Sequence, residues 1–158
     1  MNITFHTTAR HPALQYLEVL QKLEAIDEWT PEEGAAGITA GRILYDTARQ
    51  IRGAGLCETP TTVLFGEPPD GSAVGVMTDF ALDADRVRAG ALLARCLARP
   101  DVSGWWVFFT RKTNTSPTRK ERDAADRFLA SARLIDVALR GAILVTPKNI
   151  GVVRENNK

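Results

Sequence analysis

Residues 104–145, GWWVFFTRKTNTSPTRKERDAADRFLASARLIDVALRGAILV, decide the fold of this chain. The stretch begins with an unbroken apolar run, residues 105–109, which favours a buried strand over a helix. Turn-forming residues at 114–117 end that run. Thr118 and Glu121 then have the spacing of a capping box, in which two side chains satisfy unpaired amides at a helix start. Residues 137–145 are apolar again, so the order strand, loop, helix and strand predicts a βαβ unit.

Two predicted helices near this stretch each show an apolar face. In the helix that starts after Thr118, apolar side chains recur every three or four residues, as on the buried side of an amphipathic helix: Ala125, Phe128, Ala132 and Ile135. A helix predicted over residues 83–98 has its own set of inward positions: Val87, Ala91, Ala94 and Leu97. We expect both helices to pack on the sheet through these faces.

The remaining elements predict a single domain over residues 1–158. Two amphipathic helices, at about 12–28 and 39–52, make residues 1–56 a helical part. A hairpin at 61–65 and 73–78 opens the core, residues 57–153. A short strand at 150–153 precedes a tail, residues 154–158. A hairpin followed by strands that alternate with helices predicts an α/β (α+β) fold, with a mixed β-sheet sandwiched by helices.

Residues 108–145 resemble the RadC-like branch of the JAB/MPN (JAMM) metallopeptidase superfamily, and residues 61–153 do so more loosely. That family carries HNHPSG at a strand end, a Pro-rich loop and S-x-x-D opening a helix. Pro117, Thr118 and Arg119 fall in place on this pattern, as does the strand near Leu139. The resemblance implies a three-layer fold of the cytidine-deaminase-like type.

The metal-binding positions of that family carry other residues here. Its two histidines fall on Phe108 and Thr110, its serine on Thr118 and its aspartate on Glu121. The Asp-His of its last strand falls on Gly141 and Ala142, which have no side chain able to bind a metal. A catalytic zinc needs about three protein ligands and an open position for water.

We therefore expect no metal, no cofactor and no zinc hydrolysis. The only histidines, His6 and His11, both precede the first helix, and no histidine follows to pair with a nucleophile. Of the family's metal-binding positions, Glu121 alone remains able to bind a metal. Its alternative, purely structural role is to accept from the Thr118 backbone N–H as the second residue of the capping box. The alternative is a zinc-dependent hydrolase or isopeptidase of the JAB family that uses non-standard ligands.

A basic segment is the strongest binding signal. Residues 111–122 hold five cations against Glu121, 5 − 1 = +4, although the whole chain has a net charge of only +1. The candidate binding residues are Arg111, Lys112, Asn114, Arg119, Lys120 and Arg122. We expect a partner protein to bind at the degenerate site and this loop. Nucleic acid is the alternative ligand, because several cations could neutralise phosphates, and a merely solvated loop is the third interpretation.

Trp105 and Trp106 point to opposite faces of their predicted strand. We favour a core position for both, and one could instead be an exposed anchor for a partner, because Trp is enriched at interface hot spots. Cys57 and Cys96 are too few for a disulfide framework and are predicted to be buried, unreactive thiols in a reducing compartment.

The composition predicts a cytoplasmic protein. No apolar run approaches the roughly 20 residues of a membrane span, and the first residues, MNITFHTTAR, lack the apolar core of a secretory signal. The sequence leaves the oligomeric state and the identity of the partner open.

Overall fold

A five-stranded mixed sheet lies between two layers of helices. The structure, a computed structural model, describes residues 11–24, 39–67 and 75–156. Its elements in chain order are α1 (Pro12–Glu24), α2 (Thr39–Gly53), β1 (Thr61–Gly66), β2 (Val76–Phe80), a 3-10 turn (Ala84–Arg86), α3 (Ala89–Leu97), β3 (Trp105–Thr110), α4 (Arg119–Leu134), β4 (Leu139–Val145) and β5 (Ile150–Glu155). The predicted parts at 25–28, 73–74 and 157–158 lie outside the described residues.

The sheet has the strand order β2-β1-β3-β4-β5. Strand β1 is antiparallel to both β2 and β3, β3 is parallel to β4, and β5 returns antiparallel to β4. The predicted βαβ unit is therefore confirmed as β3-α4-β4, with Phe108 opposite Ile143. The mixed sheet with helices on both faces confirms the predicted α+β, three-layer class. Within the described ranges, no helix has the length and apolar character needed to cross a lipid bilayer.

Each face of the sheet has its own hydrophobic core. Helices α1 and α2 cover the face that carries Trp106 and Phe108, whereas α3 and α4 cover the face that carries Trp105 and Phe109. Trp105 is 3% exposed and Trp106 is 1% exposed, so both belong to the core. The interpretation of one of these two tryptophans as an exposed anchor is wrong, because helices cover both faces of β3.

The predicted inward face of the helix at 83–98 is confirmed at Val87, which is 3% exposed, and is wrong at the three later positions. Leu92, Leu93 and Cys96 are buried there, whereas the predicted Leu97 is 60% exposed. The predicted Ala91 and Ala94 are exposed too. The cause is a break in the helix: Val87 and Arg88 are extended between the 3-10 turn and α3. This break resets the helical phase, so a period counted from Val87 does not continue into α3.

The predicted face of α4 is confirmed except at its end. Ala125, Phe128 and Ala132 are buried. Ile135 is 44% exposed, because the helix ends at Leu134 and Ile135 has left the helical backbone conformation.

Candidate functional site

The loop between β3 and α4, residues 111–118, lies at the carboxyl edge of the parallel strands β3 and β4. Ligands of α/β folds commonly bind at this edge. A hollow lies on each side of the β3–α4 loop. The larger, here called the large cleft, has a volume of about 500 Å³. It is lined by residues of the loop and of the segment 144–151, including Asn114, Ser116, Pro117, Leu144, Asn149 and Gly151. The smaller hollow, of about 140 Å³, includes Thr110, Thr118 and Glu121 in its lining.

Arg111 holds the β3–α4 loop in shape. Its Nε donates to Glu121 Oε2 at 3.0 Å, and its Nη1 donates to Thr115 Oγ1 at 2.7 Å and to the Thr113 carbonyl. Its Nη2 donates to the carbonyls of Thr115 and Ser116. A guanidinium has five N–H donors, and every nitrogen of this one is engaged within the loop or with Glu121. Arg111 therefore fixes the loop that forms one wall of the large cleft, and it has no donor left for a phosphate.

Glu121 caps the first turn of α4. Its backbone N–H donates to Thr118 Oγ1 at 3.3 Å, and its Oε1 accepts from the Thr118 backbone N–H at 2.8 Å. The predicted capping box is therefore confirmed. With Oε2 bound to Arg111, both carboxylate oxygens are committed to the fold, at a side-chain exposure of 9%. The residue at the family's aspartate position thus stabilises the helix and the loop.

The residues at the family's histidine positions do not fit a zinc ion. Phe108 is completely buried in the core. Thr110 is 2% exposed, and its hydroxyl donates to the Leu56 carbonyl at 2.7 Å and accepts from the Thr61 N–H at 3.0 Å. Within the described ranges, no group of three or more His, Cys, Asp or Glu side chains is placed to hold a metal ion.

Two further candidate residues have structural contacts. Asn114 Oδ1 accepts from Thr146 Oγ1 and from the Lys148 N–H, both at 2.8 Å, which joins the β3–α4 loop to the β4–β5 turn. The amide is thereby oriented, and its Nδ2 has no hydrogen bond to the described part of the chain. Arg122 Nη1 donates to the Pro117 carbonyl at 2.6 Å.

The last three candidate residues are exposed cations. The side chains of Lys112, Arg119 and Lys120 are 76%, 89% and 77% exposed. Each lies 3.7–3.9 Å from a carboxylate, contributed by Glu58, Asp123 and Asp85 respectively. Four of the five cations of residues 111–122 therefore have a carboxylate neighbour, and three of these carboxylates, Glu58, Asp85 and Asp123, lie outside that segment. The +4 counted along the linear segment is thus partly offset in three dimensions. Whether the six candidates bind a ligand stays a prediction.

Sequence reasoning missed the far wall of the large cleft. Leu144 in β4, Asn149 in the following turn and Gly151 in β5 face the β3–α4 loop across it. A glycine inside a strand can indicate a close approach or an open space, and Gly151 is the one signal for this wall. A Cβ added there would meet no atom within 4 Å.

Comparison of the chain with protein-family models, with curated proteins and with solved structures finds no match. The resemblance to RadC-like JAB/MPN domains therefore rests on the sequence pattern and stays a prediction.

Proposed function

We propose that this chain is a non-catalytic binding module of RadC-like JAB/MPN type, and that its large cleft binds an extended segment of a partner protein. One contrast carries the proposal. Phe108, Thr110 and Glu121, at the family's ligand positions, are used by the fold itself. The side chains of Ser116 and Asn149, by contrast, have no hydrogen bonds to the described residues although they line a cleft of about 500 Å³.

The lining of the large cleft suits a peptide. Its volume falls in the range of about 300–1,000 Å³ typical of ligand sites. The side-chain amides of Asn114 and Asn149 offer donors and an acceptor that match the N–H and C=O groups of a peptide backbone. Pro117 and Leu144 supply apolar contact beside them. None of the described residues that line the cleft carries a charge, so a neutral, hydrogen-bonding ligand fits it best.

Nucleic acid is less favoured by the same geometry. Arg111 has its donors engaged, and each exposed cation of the loop has a carboxylate within 4 Å. Affinity for a nucleic acid depends on cations that can neutralise phosphates, and four of the five cations of residues 111–122 have a carboxylate neighbour here.

A cleft-filling variant with a matched control tests the proposal. Gly151→Leu places a side chain in the large cleft. Gly90→Leu adds the same side chain at an exposed position of α3, where a Cβ also meets no atom within 4 Å. Random linear peptides displayed on phage are selected on the wild-type protein, and their affinities are measured by fluorescence anisotropy. We expect Gly151→Leu to weaken binding at least about tenfold, or about 1.4 kcal/mol, and Gly90→Leu to leave it unchanged. A failure to enrich any peptide, or equal binding to Gly151→Leu, would sink the proposal.

Two further measurements separate the alternatives. Labelled oligonucleotides are titrated at low and moderate salt, together with a variant in which Lys112, Arg119 and Lys120 are changed to Gln. Binding that falls with salt and disappears in this variant would make the loop a nucleic-acid site. One tightly bound zinc ion per chain in metal analysis would contradict the non-catalytic assignment.

A further inference from the structure

A second cluster of polar groups lies at the opposite edge of the sheet, around His11. The residue immediately precedes α1. Its Nδ1 accepts a hydrogen bond from the Ala13 backbone N–H at 3.1 Å, and the backbone N–H of His11 donates to Glu155 Oε2 at 3.4 Å. The imidazole packs edge-on against the Trp106 ring, with 5.1 Å between the ring centroids. His11 thus caps α1 and joins it to β5 and to the core tryptophan.

The charged groups that act on this imidazole come from three places in the sheet. Glu67, after β1, accepts from Trp106 Nε1 at 3.1 Å and pairs with Arg140 in β4. Glu155 ends β5. Burial and then Arg140 lower the pKa of His11, whereas Glu67 and Glu155 raise it, and the net effect is a pKa below the usual value for histidine. Among the described side chains of α2, which packs beside α1, none supplies a charge that acts on the ring.

We propose that His11 is a pH-sensitive latch, which holds the first turn of α1 on the sheet while its imidazole is neutral and releases that turn when the imidazole is protonated. The reason is geometric. The Nδ1 lone pair is the acceptor for the Ala13 N–H, and protonation of Nδ1 replaces that lone pair with a second donor facing the first. The cap is then lost, and the ring must turn away from Ala13.

The protonated ring has an alternative place to go. The carboxylates of Glu155 and Glu67 lie close enough to favour its charged form. In the arrangement present, the ring accepts from the α1 backbone, and in the proposed second arrangement the charged ring is directed at one of these carboxylates. A histidine with two such partners is a recurrent pH-responsive device. Ala13 and Leu14, which are 2% and 0% exposed in the core beneath α1, are the residues that the released turn would uncover.

The direction of the pH dependence follows from the lowered pKa. The neutral form is favoured in the folded state, so the latch is closed above the ordinary histidine pKa of about 6.5. It opens as the pH falls through the lower pKa of the folded protein. The stability contributed by the neutral ring is complete above about pH 6.5. It is lost as the pH falls from there through the lower pKa of the folded protein.

Nuclear magnetic resonance can follow the latch on the complete chain. The His11 ring signals are titrated between about pH 7.5 and 5, and amide hydrogen-exchange protection of Ala13 and Leu14 is measured over the same range. In the wild type we expect this protection to fall about fivefold or more as the ring is protonated, the usual effect of losing a helix cap.

Two variants make the test specific. His11→Asn keeps a side-chain acceptor and cannot titrate, so its protection should stay high at every pH. His11→Ala has no acceptor and should show low protection throughout. A wild-type protection that does not change as His11 titrates, or an equal pH response in His11→Asn, would overturn the proposal.

Discussion

Arg111, directly after β3, and Glu121, in the first turn of α4, form an ion pair, with Arg111 Nε 3.0 Å from Glu121 Oε2. Their side chains are only 12% and 9% exposed. The pair links the first residue of the β3–α4 loop to the helix cap, and the remaining Arg111 donors hold the carbonyls of that loop. The wall of the large cleft thus depends on a residue that does not line it.

Removing Arg111 should destabilise the fold strongly. Arg111→Met leaves the mostly buried Glu121 carboxylate without its cation, and we expect a loss of about 3 kcal/mol in the free energy of unfolding. Arg119→Met, at an 89% exposed position, should cost less than about 1 kcal/mol. Urea denaturation of the two variants gives the comparison. Equal losses would show that Arg111 does not organise the loop.

Truncating either tryptophan of β3 should destabilise the protein. Trp105→Ala and Trp106→Ala each leave a cavity in a separate core, which costs about 3–5 kcal/mol. Trp106→Phe should cost less, because most of the apolar contact remains, although the hydrogen bond to Glu67 and part of the ring volume are lost. Thermal unfolding monitored by circular dichroism ranks the three variants. A wild-type melting temperature in either alanine variant would contradict the assignment of that residue to the core.

Two glycines of neighbouring strands should respond differently to the same substitution. A Cβ at Gly141 would lie 2.9 Å from the Arg154 carbonyl oxygen and 3.2 Å from the Trp106 ring. We expect Gly141→Ala to cost about 1–3 kcal/mol through overpacking. Gly151→Ala, which meets nothing within 4 Å, should change stability by no more than about 0.5 kcal/mol. Chemical denaturation measures both, and a tolerated Gly141→Ala would contradict the close approach of β5 at that point.

Both cysteines should be unreactive in the folded protein. Burial raises the pKa of the Cys96 thiol to about 12 and also raises the pKa of Cys57. Because the thiolate is the reactive form, a disulfide reagent at about pH 8 should modify neither thiol until the protein unfolds. The released chromophore then reports two thiols per chain. Rapid labelling of the native protein, assigned with a Cys57→Ser variant, would show that a thiol is accessible.

Signals that are local in the chain predicted their elements correctly. The apolar run at 105–109 is β3, and the Thr118–Glu121 spacing is a capping box. Each of these depends on groups within a few residues of one another, so the backbone geometry alone brings them together. The predicted buried positions in α3 were wrong because two extended residues, Val87 and Arg88, interrupt the helix. The helical period that the sequence shows as continuous therefore starts again after them.

The candidate site depended on residues that are far apart in the chain. A sequence shows how many charges a loop carries, but Glu58 and Asp85 reach Lys112 and Lys120 only through the packing of other elements. The large cleft likewise requires Gly151 to face the β3–α4 loop. The sequence by itself therefore determined the order of the elements and the start of α4, because these follow from short-range backbone and side-chain preferences. Only the tertiary structure decided which cations are compensated and where a ligand has room, because both depend on distances between segments that the chain order does not specify.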